Sequence, residues 1–107
     1  MGSVITKYEG ISIISGYAAE CRHHLIFGRG KRELAEADGL WIPLLNREHN
    51  MAQCAVDQIH DNPPAEYLSK MCGQLAFEKE YYRRKLCEAN EDPARNVFRE
   101  RYGESYM

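Results

Sequence analysis

The sequence predicts an α+β domain, and three observations carry that expectation. Apolar residues alternate in the first third of the chain as in short strands, whereas beyond residue 65 they recur at helical spacing. Strong breakers punctuate the chain, with Gly28 and Gly39 early and Asp61-Asn62-Pro63-Pro64 in the middle. A length of 107 residues, 44% of them hydrophobic and 28% charged, suits one modest core. No repeat, low-complexity tract or linker divides the chain, so residues 1–107 are expected to form a single domain.

Taken in order, Ser3 to Ile14 alternates loosely around Glu9-Gly10 and predicts an amino-terminal hairpin or two short strands. Tyr17 to Phe27 reads as a further extended segment ending at Gly28. Lys31 to Asp38 has helical composition and is stopped by Gly39. Leu40 to Leu45 is an apolar run of strand length, and Pro43 inside it marks an edge or irregular strand. Asn46 is a good cap for a helix running through His49, Ala52, Gln53 and Val56 towards His60. After the Asp-Asn-Pro-Pro break comes the longest helix, Ala65 to about Asn90. Leu68, Met71, Cys72, Leu75, Tyr82 and Leu86 form its apolar stripe, and Glu78, Lys79, Arg83, Arg84 and Lys85 its wet side. Asp92 as cap and Pro93 at the first helical position open a last helix, Ala94 to Tyr102, closed by Gly103.

Composition narrows the function classes. No run approaches the roughly 18 apolar residues of a spanning helix, and the first residues lack the basic-then-apolar order of a secretory leader. The four cysteines form no C-x-x-C pair, so reduced thiols packed as small apolar residues in a cytoplasmic setting are expected. The net charge of −2 argues against a broad nucleic-acid-binding surface. Locally the balance differs: Arg22, Arg29, Lys31 and Arg32 stand against Glu20 alone, beside a pair of histidines. Charges so placed could hold phosphates.

The chemistry concentrates in His23-His24 and in His49. Metal-assisted phosphodiester hydrolysis needs a base to take a proton from water and a cation to stabilise the phosphate and the leaving oxygen. A histidine serves as base near neutral pH. His24 is the candidate base, and His23 and His49 are the candidate ligands. Neighbours on a regular strand point to opposite faces, so His23 and His24 converge only where the strand bends or ends. Gln53, four residues after His49, could reach the same ligand or a phosphate. His60 lies about 16 Å from His49 along an unbroken helix, which excludes it from a shared metal unless that helix breaks. It is read as a helix-end or packing residue. Trp41, Tyr81, Tyr82, Tyr102 and Tyr106 could stack on bases but are expected in the core.

At this point the chain resembles small phage-type HNH, or His-Me finger, nucleases. The resemblance rests on His23-His24-Leu25-Ile26-Phe27-Gly28, Lys31-Arg32-Glu33 leading to Gly39-Leu40, Pro43-Leu44 before His49-Asn50, His60, Gln74 with Phe77-Glu78, and Phe98 with Tyr102-Gly103-Glu104-Ser105-Tyr106. It implies a ββα-metal core with carboxyl-terminal helices and metal-dependent phosphodiester cleavage, with His23 and His49 as ligands and His24 as base. It implies a divalent ion, Mg²⁺ first with Mn²⁺ or Zn²⁺ as alternatives, and a nucleic-acid partner, DNA before RNA. Arg22, Arg29, Lys31, Arg32 and Gln53 would contact that nucleic acid, in a phage or bacterial cytoplasm. The chain departs from the pattern in three places, one of them Leu45 where a further cysteine often precedes the final histidine. Ser12 to Gly16 stands where a C-x-x-C-G knuckle often sits, so no structural zinc is expected. The orienting Asn falls near Asp38-Gly39. These departures leave room for a catalytically silent relative that binds nucleic acid or inhibits a host nucleic-acid-processing protein; homo-oligomers are compatible with either.

Overall fold

The computed structural model describes residues 1–84 and 93–107. They form an α+β fold in which two antiparallel strands flank a helix and are braced by two later helices. Strand β1 (Cys21–His24) pairs with β2 (Trp41–Leu44), setting His23 opposite Ile42 and His24 opposite Trp41. Helix α1 (Lys31–Asp38) connects them. Its end is dictated by Gly39, whose φ of 71° is left-handed. That geometry lets the Gly39 and Leu40 amides donate to the Glu36 and Ala35 carbonyls, closing the last turn and turning the chain into β2. A β-carbon at Gly39 would collide with the Gly2 carbonyl, so the position admits glycine on two grounds.

The amino-terminal hairpin expected over Ser3–Ile14 does not form. That segment makes turns, with one isolated bridge between Ile11 and Ala18. Hydroxyls explain the difference. Ser3 Oγ accepts from the Ile5 and Thr6 amides, and Ser12 Oγ from those of Ile14 and Ser15, offering the backbone local partners in place of a ladder. The segment is instead tied to β2, with Ser3 Oγ donating to the Trp41 carbonyl and the Trp41 indole donating to the Met1 carbonyl.

The helix expected from Asn46 towards His60 is also cut short. Helix α2 covers only Asn46–His49. Its last carbonyls take their donors across a loop: the Ile59 amide donates to Glu48 and the His60 amide to His49. Those bonds replace the ones residues 52 and 53 would have supplied. The intervening loop holds a 3-10 turn (Ala55–Asp57) and is closed by Gln58, which accepts from the Ala52 amide and donates to the His60 carbonyl.

Helix α3 (Pro63–Arg84) is the long one, and α4 (Pro93–Tyr102) packs against it. The expected ending of α3 near Asn90 and the Asp92 cap lie outside the described residues. The buried face of α3 follows its predicted stripe only in part: Met71 packs half-buried against the core and Lys79, Arg83 and Arg84 are exposed, as expected. Ser69, Gly73, Gln74 and Glu78 are buried, whereas Leu68 and Leu75 are 59% and 50% exposed and Cys72 is exposed. Close approach is the reason. A β-carbon on Gly73 would lie 2.9 Å from Ile26 and 3.0 Å from Leu25, so only the small-residue face lets α3 cross the end of β1. Polar groups on that face are satisfied: Gln74 accepts from the Tyr106 amide and donates to Glu78 and Ser105, and Arg95 reaches Glu78.

The core joins Ile26, Ala35 and Leu40 to Phe98, Tyr102 and Tyr106. Phe98 and Tyr102 stack with ring centroids 4.6 Å apart. Trp41, Tyr102 and Tyr106 are interior residues, as expected, whereas Tyr81 is half-buried and Tyr82, expected with them, is exposed. Asp38 clamps α1 to α4 by accepting from Arg101 Nε and one terminal guanidinium nitrogen at 2.6 and 2.8 Å and from the Tyr102 hydroxyl at 2.7 Å. Cys54 is exposed like Cys72, so neither is the packed thiol the composition predicts. Among the described residues, no helix is long and apolar enough to cross a membrane.

Candidate metal centre

His23 occupies the strand face turned towards α3 and is completely buried. Because α2 stops at His49 and the loop returns on it, the His60 ring is delivered to the same spot. Ring centroids are 5.1 Å apart for His23 and His49, 5.1 Å for His23 and His60, and 4.6 Å for His49 and His60. One nitrogen from each imidazole lies within 4.8 Å of the others, slightly wider than the spacing one shared ion would impose. With metal–nitrogen bonds near 2 Å, donors around a single ion sit up to about 4 Å apart, so modest inward movement completes the set.

The electrostatics fit the same use. Burial, then the neighbouring charges of His49, His60 and His24, hold the His23 pKa down to about 3. Burial and the charges of His60, His24 and Arg32 lower His49 to about 4. Both are therefore neutral at pH 7, with lone pairs available to a cation. His23 Nδ1 is buried and has no hydrogen-bond partner, a cost that a bound ion would remove. Outer partners hold two of the rings: Ser69 Oγ lies 2.7 Å from His23 Nε2, and Glu66 lies 3.3 Å from His60 Nδ1. Phe27 packs edge-on to His60 at 4.7 Å and closes one side.

His24 follows the strand alternation and faces α1, outside the triad. Its Nε2 lies 3.3 Å from Glu36, which also accepts from Arg22 at 3.0 Å. Burial would raise the Glu36 pKa, but the bonds from His24 and Arg22 outweigh it and the pKa is lowered. The group orienting His24 is thus Glu36. Asp38, near which the resemblance puts the orienting Asn, is committed to Arg101 and Tyr102.

An open cleft of about 400 Å³ is lined by His24, His49 and His60 together with Arg22, Phe27, Arg32 and Asn50. Of the basic residues expected to hold phosphate, Arg22 and Arg32 border this cleft. Arg22 also stacks 3.9 Å over Trp41. Arg29 is exposed outside it. Lys31 is turned away, donating to the Tyr106 hydroxyl at 3.0 Å and pairing with Glu104. Gln53 lines a separate hollow with Arg47 and Met51, because the helix that would have placed it beside His49 has ended.

The sequence reading missed four residues here: His60, Ser69, Glu66 and Glu36. His60 carried a signal, being a histidine just before an unambiguous helix stop, but the continuous helix drawn through residues 50 to 58 masked it. Compared with known proteins, the chain matches no family model, no curated protein and no solved structure.

Proposed function

We propose that this chain is a metal-dependent phosphodiesterase acting on nucleic acid, built as a His-Me finger variant. Three converging imidazoles beside a cleft that also holds a carboxylate-oriented histidine and two guanidinium groups carry this reading. His23, His49 and His60 would hold the ion. When bound, it supplies positive charge to the phosphate and to the departing oxygen. Three imidazole nitrogen donors, with no carboxylate among them, suit Mn²⁺, Zn²⁺ or a similar transition ion better than Mg²⁺, which prefers oxygen.

His24 takes the proton from water. With Nε2 held by Glu36, Nδ1 is the nitrogen left to receive it. The water oxygen bonds to phosphorus as one phosphorus–oxygen ester bond breaks, and Arg32 and Arg22 hold the phosphate oxygens against the cleft wall. DNA is the preferred substrate class on the resemblance. The test is nicking of supercoiled plasmid with Mn²⁺, Zn²⁺ or Mg²⁺. His24→Ala is expected to bind the ion normally and to lose about 10²- to 10⁴-fold in rate. Wild-type protein that binds an ion yet nicks neither DNA nor RNA would overturn the enzymatic reading. The net charge of −2 favours the silent binding protein as its replacement.

A further inference from the structure

Ser69 sits on α3, 46 residues from His23, and its hydroxyl has one hydrogen to give. That hydrogen goes to the Leu25 carbonyl, which accepts it at 2.8 Å. At 2.7 Å from His23 Nε2 the same oxygen can then only accept, so Nε2 must carry the ring proton. The neutral imidazole has one such proton, and Nδ1 is left as a bare lone pair. This is the nitrogen that is buried without a partner in the triad. The reverse assignment fails twice: the Leu25 carbonyl would lose its hydroxyl, and an Nδ1–H would be buried with nothing to receive it.

We infer that Ser69 is a positioning residue that fixes His23 in its Nε2–H tautomer, so that Nδ1 is the nitrogen presented to the ion. Glu66 acts in the opposite sense on His60, where it engages Nδ1 and leaves Nε2 for the ion. The two outer partners thus dictate a mixed set, Nδ1 from a strand and Nε2 from a loop, and they do so before any ion arrives. Such outer hydrogen bonds fix the ring and raise ligand basicity. The inference rests on the metal-site part of the proposed function but not on cleavage.

The experiment is two-bond proton–nitrogen NMR of the imidazoles in ion-free protein at pH 7, followed by Zn²⁺ titration of wild type, Ser69→Ala and Ser69→Thr. Ion-free wild type is expected to show His23 in the Nε2–H form. Ser69→Ala should mix the two tautomers and weaken Zn²⁺ binding about 10- to 100-fold. Ser69→Thr, which keeps the hydroxyl, should restore both. A wild-type His23 in the Nδ1–H form overturns the inference, and that spectrum decides the matter even if Ser69→Ala does not fold. Equal Zn²⁺ affinity in wild type and a folded Ser69→Ala, or no Zn²⁺ binding in wild type, overturns it as well. Zn²⁺ binding with the expected tautomer but no nicking would sink the nuclease reading and leave this one standing. Nicking with the wrong tautomer would do the reverse.

Discussion

A histidine in water titrates near 6.5, and what the fold does to that equilibrium depends on the ring's surroundings. His23 is stripped of water and ringed by other imidazoles, so its neutral form wins. His24, one residue on, meets a carboxylate instead. Adjacent residues of one type are thereby assigned different work. The residue most sharply tested is His60, which enters the triad only because α2 stops. His60→Ala should cost more Zn²⁺ affinity than loss of an outer partner, so more than about 100-fold. Gln53→Ala, whose side chain lies in another hollow, should leave that affinity unchanged. Calorimetric titration reads both, and a His60→Ala protein that binds like wild type would remove His60 from the ligand set.

At the scale of elements, α3 shows packing overruling pattern. Its sequence offers a respectable apolar stripe, yet the helix meets the end of β1 through Ser69 and Gly73, because room for the Leu25 and Ile26 side chains matters more there than apolar area. Gly73→Ala makes this measurable. In an exposed helix the change would stabilise by about 1 kcal/mol. Here the new methyl meets Ile26 and Leu25 at 2.9–3.0 Å, and overpacking of that kind costs about 1–3 kcal/mol. Net destabilisation of about 1 kcal/mol is expected in urea unfolding, and an increase in stability would mean that α3 does not approach β1 so closely. The short helices and strands were largely legible in the sequence: Lys31–Asp38 with its Gly39 stop, the Leu40–Leu45 strand and the Pro93–Tyr102 helix all stand close to where the pattern put them. The faces of α3 and the length of α2 were not. Both depend on partners distant in sequence, the Leu25 and Ile26 side chains in one case and the amides of Ile59 and His60 in the other.

For the whole molecule, the buried His23 beside two half-buried imidazoles couples folding to pH. Unfolded, His23 takes a proton near pH 6.5; folded, it stays neutral down to about pH 3. Between those values the unfolded chain binds more protons, so stability rises with pH and is lost on acidification. At pH 5 His23 alone should cost the ion-free fold about 2 kcal/mol relative to pH 7.5, since each pH unit below 6.5 is worth about 1.4 kcal/mol. His49, lowered to about 4 but closer to water, adds in the same direction and less. Thermal unfolding across a pH series should show a melting temperature that falls between pH 7 and pH 4, and His23→Phe should flatten that slope. A flat wild-type profile would mean that the imidazoles reach solvent. Zn²⁺ at pH 7.5 should raise the melting temperature, because the ion binds the assembled triad and not the open chain.

The sequence by itself determined the α+β class and the bounds of α1, β2 and α4, because periodicity and glycine stops are local properties of the chain. It also supplied two of the three converging imidazoles. The tertiary structure alone decided the third, along with the carboxylate that orients His24 and the hydroxyl that sets the tautomer of His23. Each of those is a contact between residues apart in order, two of them made possible where a helix ends early and where a glycine leaves room for the side chains that follow β1, and no local pattern encodes such an encounter.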